Sequence, residues 1–286
     1  MHVKLKFLIF FVRRFVAGTE LKDTLPIIKK LKEKNIKVTL DHLGEDVNDL
    51  KKADNAAKTY LSILGCIKEN KLDANISIKL SQIGLSISKN LALKNAERIL
   101  SKAKELNLIV EIDMEGSKYT KDTINIFLNL LKRYNNSVLA IQAYLFRSEK
   151  DILNIIKNKG KIRLVKGSYK ENDKISFSEK EDVNKKYIKL MKLCLQKGKF
   201  IKIATHDENI INLAKSYIKK MKIKKNRYEF EMLYGIHRSL QEELASQGYN
   251  VRVYLPYGKE WFSYFYRRIR ERKENLLFII KHLFKK

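Results

Sequence analysis

The chain has 286 residues and a formal net charge of +28, from 60 Lys and Arg against 32 Asp and Glu. That length admits two small domains or one large α/β barrel, and composition leaves the choice open. The charge favours acidic partners, whereas two cysteines far apart, Cys66 and Cys194, exclude a disulfide framework and point to free thiols in a reducing compartment.

In chain order, residues 1–12 form a short apolar and basic segment within "MHVKLKFLIFFVRRFVAG". It resembles a signal peptide only superficially, because no small-residue cleavage site follows and Arg13 and Arg14 come at once. No apolar run reaches the length that spans a bilayer, so a soluble cytoplasmic protein is expected, peripheral at most. Strands are then expected at "KVTLDHLG" from Lys37, "NISIKLS" from Asn75, "LIVEIDME" from Leu108 and "VLAIQAY" from Val138. Four more follow at "KIRLVKGSY" from Lys161, "FIKIATHD" from Phe200, "YEFEMLYG" from Tyr228 and "VRVYLPYG" from Val251. Between them lie helical patterns such as "NAAKTYLSILGCIKEN" and "TKDTINIFLNLLKRYN", with apolar residues three and four apart. Alternating strands and helices signal βαβ units and a parallel sheet. Eight such strands predict a single-domain (β/α)8 barrel of the TIM type over residues 1–286, with a C-terminal helix over its mouth. An open doubly wound sheet is the alternative, but none of the 11 glycines forms its G-x-G-x-x-G turn or a P-loop.

In such a barrel the chemistry sits at the C-terminal ends of the strands. Those ends offer Asp41, Lys79, Asp113, Gln142, Arg163 with Lys166, Thr205 with His206, Glu231 and Tyr254. Any one of them could be a structural ion pair, but polar residues at every strand end suggest a concerted site, because burying each without a partner is costly. The five histidines make no H-E-x-x-H, and neither a cysteine cluster nor a G-x-S-x-G elbow is present, so no metal site and no serine nucleophile are expected. Arg, Lys, Gln, Thr and His donors suit phosphates and a flat heteroaromatic ring such as a flavin. "KGSYKEN" and "ATHDEN" supply a glycine turn and hydroxyl, imidazole and ammonium donors on adjacent loops.

In the last segment Tyr264, Arg268, Glu271 and Asn275 share one helical face, with Arg267 at its flank. If solvated, that face carries only a weak ion pair. The aromatic run "WFSYFY" before it predicts instead a sheltered arginine pair able to grip one carboxylate with a forked contact.

These pieces together resemble the proline dehydrogenase family. The likeness runs from about Arg13 to Phe278 and rests on "VTLDHLGE", "SIKLSQIGL", "EIDMEGS", "IQAYLFRSE", "RLVKGSYKE", "ATHDE", "FEMLYGI" and "RVYLPYGKEWFSYFYRRIRER" in that order. The resemblance implies FAD-dependent oxidation of L-proline to Δ1-pyrroline-5-carboxylate, with electrons passed to a membrane quinone. It implies that Arg267 and Arg268 bind the proline carboxylate and that Lys79, Asp113, Leu233 and Tyr254 line the ring pocket, Arg163, Asp113 and Lys79 being the candidate catalytic residues. Gln142, Arg163, Lys166, Gly167, Thr205, His206, Glu231, Tyr264 and Glu271 fall on the FAD side, with Arg163 toward flavin N5. Glu45, with Tyr169, falls at a gate that closes through the first arginine. Ser168 replaces a common alanine and leaves hydroxyproline open as substrate, while Glu231 stands where some relatives carry Gln. The charge then suggests peripheral association with an anionic membrane, and the dispersed lysines argue against nucleic acid as partner.

Overall fold

The computed structural model describes residues 15–261. Helix α1 (Leu21–Glu33) leads into β1 (Ile36–His42), and α2 (Leu50–Glu69), β2 (Ala74–Ile78), α3 (Lys89–Glu105) and β3 (Val110–Ile112) follow. Then come α4 (Ser117–Leu131), β4 (Ser137–Gln142), α5 (Ser148–Lys157), β5 (Lys161–Val165), α6 (Lys180–Lys197) and β6 (Ile201–Ala204). The described part ends with α7 (Glu208–Lys220), β7 (Tyr228–Leu233), α8 (Arg238–Ser246) and β8 (Val251–Tyr257). All eight strands are parallel and close in sequential order, β8 pairing back onto β1 with Ile36 opposite Val251 and His42 opposite Tyr257. The single closed barrel expected from the alternating pattern is therefore present. Residues 1–12 and the helix expected over the mouth lie outside the described residues.

Each helix forms for local reasons and is held by one face. On α2, Asp49 caps the N-terminus by accepting the Lys52 amide at 2.8 Å. Its residues Ala53, Ala57, Tyr60, Ile63, Leu64 and Ile67, at helical spacing, are buried. Asp207 caps α7 by accepting the Asn209 and Ile210 amides. The main apolar core is a ring between helices and sheet, built from outward strand residues such as Ile76, Ile78, Val110, Ile112, Ile162 and Leu164. Both cysteines are free; Cys194 is buried in that ring and Cys66 is half-buried.

The lumen is different. TIM barrels fill it mainly with branched aliphatic side chains. Here Glu111 of β3 touches Arg163 of β5 and Lys202 of β6, and Asp113 touches Tyr254 of β8. Strands that are not neighbours in the sheet meet only across the lumen, so this inner face is polar and charged while the outer face is apolar. The period-two alternation has been kept, with ion pairs inside and aliphatics against the helices.

Candidate active site

The residues expected at strand ends fall into two tiers. Asp41 and Gln142 lie at the ends of β1 and β4, while Lys79, Asp113, Lys166, Gly167, Thr205 and His206 follow the last residues of their strands. Arg163, Glu231 and Tyr254 sit lower, inside β5, β7 and β8, so for these three the expected strand-end position gives way to a place within the strand. Strand pairing is the reason: β8 stays bonded to β1 as far as Tyr257, three residues past Tyr254.

Asp113 is the hub of the upper tier. One of its oxygens accepts hydrogen bonds from the Ser77 hydroxyl at 2.6 Å and Arg163 Nη2 at 2.5 Å. The other accepts from Lys79 Nζ and from the Tyr254 hydroxyl, both at 2.7 Å. Lys79 also donates to Asp41 Oδ1 at 2.8 Å, and the Arg163 guanidinium stands 5.0 Å from the centre of the Tyr254 ring. Burial alone would raise the Asp113 carboxyl, but the Lys79 and Arg163 charges outweigh it and hold Asp113 well below the usual carboxylate range. Burial would likewise lower Lys79, and Asp113 and Asp41 reverse that, keeping it firmly charged. Two polar atoms of this cluster, Arg163 Nε and Asp41 Oδ2, are buried with no hydrogen-bond partner among the described residues.

The loops around the hub carry the other expected residues. Gly167 has a φ of +116°, and a Cβ there would lie 2.1 Å from Cδ1 of the Tyr144 ring. Glycine is thus required both by conformation and by close approach. Lys166 Nζ is 2.8 Å from Asp207 Oδ2, which ties the fifth loop to the cap of α7. His206 accepts the Leu233 amide on Nε2 at 2.7 Å, so a neutral ring carries its proton on Nδ1. That bond draws the ends of β6 and β7 together and sets Leu233. Thr205 accepts the Asp207 amide at 3.2 Å, and Gln142 donates to the Glu115 carbonyl at 3.0 Å. The expected gate residues are in reach of each other, Tyr169 Oη being 3.5 Å from Glu45 Oε2. Ser168 is half-buried between Gly167 and Tyr169. Arg267, Arg268, Tyr264 and Glu271 lie outside the described residues.

Beneath the hub lies a tier that the sequence reading overlooked. Lys202 Nζ pairs with Glu111, with Glu231 at 2.9 Å and with Glu229 at 3.3 Å. Arg252 Nε pairs with Glu229 at 2.6 Å, and Thr39 donates its hydroxyl to Glu111. Burial would raise Glu229, but Arg252 and Lys202 bring it down to about 2. Glu231, expected on the cofactor side, belongs to this tier: it lies under Arg163 at 3.5 Å. The sequence did carry a signal. Glu111, Glu229 and Arg252 each stand two residues before a residue already expected at the site, Asp113, Glu231 and Tyr254, hence on the same face of the strand.

Fold and site together define a (β/α)8-barrel protein with a polar, sheltered mouth over a charged lumen. The family profile described as proline dehydrogenase matches residues 24–281. Proline dehydrogenase 2 of Bacillus subtilis (strain 168) is 37% identical over 273 residues, covering 96% of this chain and 90% of that protein. The proline dehydrogenase of Deinococcus radiodurans is 36% identical over 277 residues, covering 95% of this chain and 89% of that one. Among solved structures, proline utilization A from Bdellovibrio bacteriovorus superposes with a TM-score of 0.89 at 23% identity. That match covers 96% of this chain but only 34% of the longer protein, and it speaks to the fold. The chain belongs to the proline dehydrogenase family of oxidoreductases.

Proposed function

We propose that this protein oxidises L-proline to Δ1-pyrroline-5-carboxylate with FAD as its resident cofactor and a membrane quinone as the final acceptor. The observation that carries the reading is the hub: Asp113 gathering Lys79, Arg163 and Tyr254 at the barrel mouth, with Arg163 Nε buried and unpartnered among the described residues. A buried donor left open at a mouth rich in ammonium, amide and hydroxyl groups fits a heteroaromatic ring with acceptor atoms.

FAD, when bound, supplies the hydride acceptor for the ring carbon next to the proline nitrogen. The chain's own residues then position and shelter. Arg163 offers its guanidinium edge to the cofactor, with Gln142, Lys166, Gly167, Thr205 and His206 around it. Tyr254 and Leu233 flank the substrate ring, and Lys79 and Asp113 hold the pocket polar and rigid, so orientation does most of the catalytic work. Tyr264 and Glu271 are assigned to the cofactor side, and Arg267 and Arg268 to the substrate carboxylate. Glu45 and Tyr169 form the gate. The protein works in the cytoplasm, docking peripherally on the inner face of the cell membrane to reach its quinone. Metal and nucleic acid have no part in this reading.

Purified protein is expected to be yellow and to reduce a quinone analogue when given proline. A colourless preparation that FAD cannot reconstitute would sink the reading. Comparing proline with hydroxyproline in the same assay decides whether the Ser168 hydroxyl shifts the preference.

A further inference from the structure

The lumen holds more buried carboxylates than buried cations. Asp41, Glu111, Asp113, Glu229 and Glu231 face Lys79, Arg163, Lys202 and Arg252 in one connected set of ion pairs. None of these nine is more than 8% exposed. Two of the carboxylates compete for the same two cations. Glu111 contacts Lys202 and lies 3.0 Å from Arg163 Nη1, and Glu231 lies 2.9 Å from Lys202 and 3.5 Å from that same Arg163 nitrogen. Like charges so placed, away from water, favour a shared proton.

Of the pair, Glu111 is better supplied. It also receives the Thr39 hydroxyl, and Lys202, Arg163 and Arg252 together overcome its burial and lower it. Glu231 has the longer contact with Arg163. The charged groups that act on it are Glu111 from β3, Arg163 from β5, Lys202 from β6 and Arg252 from β8; Glu229 on its own strand shares Lys202 and Arg252 with it. The Tyr187 phenol of α6 stands behind it, and Lys37 and Lys161 are only half-buried at the lower ends of β1 and β5. Burial first and Glu111 second push the Glu231 carboxyl up to about 7, against Lys202 and Arg163.

We propose that Glu231 is a positioning residue that sets the orientation of Arg163 by taking up and releasing one proton. Protonated, it leaves this set of ion pairs balanced, four carboxylates against four cations, and Arg163 is free to turn Nε toward the mouth. Ionised, it adds a second carboxylate below the guanidinium and draws Arg163 into the lumen. The proton exchanges with solvent through the mouth, and no other bond changes. The inference rests on the reading above that Arg163 faces the cofactor.

Glu231→Gln fixes the neutral state without changing shape. In flavin-free protein, infrared titration of the wild type should show a protonated-carboxyl band that disappears across neutral pH and is missing in the variant. Glu111→Gln, which removes the competing charge, should move the disappearance of that band down by about one pH unit or more. In flavin-loaded protein, the alkaline fall of kcat should flatten in Glu231→Gln while the proline KM changes less than about threefold. A band that persists with its wild-type midpoint in Glu231→Gln overturns the proposal. So does a variant that keeps the wild-type pH profile and is equally destabilised at about pH 6 and about pH 8, the mark of a merely structural role. The infrared arm needs neither flavin nor proline, so the state of Glu231 is decided even if the protein oxidises another substrate.

Discussion

Asp113 shows how much one side chain can carry. Four donors converge on its two oxygens, and two of them are the fully charged Lys79 and Arg163. Asp113→Asn keeps the volume but removes the charge those cations face. Breaking a buried pair from one side costs about 3–5 kcal/mol, and the misplaced Arg163 and Tyr254 should lower kcat/KM by roughly 100-fold. Because the native pKa of Asp113 lies below its unfolded value of about 3.9, its stabilisation is full above that value. It is lost progressively as pH falls from there toward the depressed native value. Urea titrations should therefore show wild-type stability declining below about pH 4 and the variant declining less steeply there. Gly167→Ala is the complementary case. Its Cβ would meet the buried Tyr144 ring in a conformation L-residues avoid, so a loss of about 1–3 kcal/mol and weaker flavin retention are expected. Thermal melting and a flavin-release titration check both.

At the scale of elements, the turns that feed the strands share one device. Asn35, Lys71, Asn107, Lys159 and Lys222 all adopt left-handed backbone with φ between 49° and 59°, each just after a helix. Glycine usually takes that position. Here Gly248 does so after α8, with φ of +81°, while the other five turns put Asn or Lys there. Lysine pays for the left-handed twist through its Cβ, so Lys71→Gly or Lys159→Gly should stabilise the barrel by about 1 kcal/mol; a lower melting temperature in both variants would refute the account. Asp207 joins element to site, since it caps α7 and holds Lys166. Asp207→Asn preserves a capping oxygen but not the charge, whereas Asp207→Ala loses both. Flavin affinity should fall in both variants, and stability should fall by about 1 kcal/mol in the alanine variant alone.

At the scale of the whole molecule, the net charge of +28 stands against a lumen that is close to balanced, so the excess lies outside the barrel interior. No helix among the described residues is long and apolar enough to cross a membrane. The proposed route to a membrane quinone is therefore electrostatic: binding to anionic vesicles should be strong at low salt, weaken by roughly tenfold or more at 0.5 M salt and be negligible on neutral vesicles. Salt-independent sedimentation with vesicles would refute it.

The sequence by itself determined the eight strands, their parallel order and the polar residues that end or follow several of them. Residues such as Lys79, Asp113 and Thr205 are legible there because each ends or directly follows an apolar run, where burying a polar group without a partner is costly. The glycine at 167 was legible as a turn built for close approach to a cofactor, whereas the group that crowds it in the structure is the Tyr144 ring. What only the tertiary structure decided is which face of each strand is inside. "VEID", "FIKI", "YEFE" and "VRVY" each alternate charged with apolar residues, a pattern that on one strand reads as a solvent face. Closure of the sheet turns that face inward and brings Glu111, Lys202, Glu229 and Arg252 from separate strands into contact. No local pattern encodes that meeting, because it depends on the register of eight strands at once. The same closure makes Glu231 and Glu111 share two cations, and so leaves this set of ion pairs with one carboxylate more than its cations.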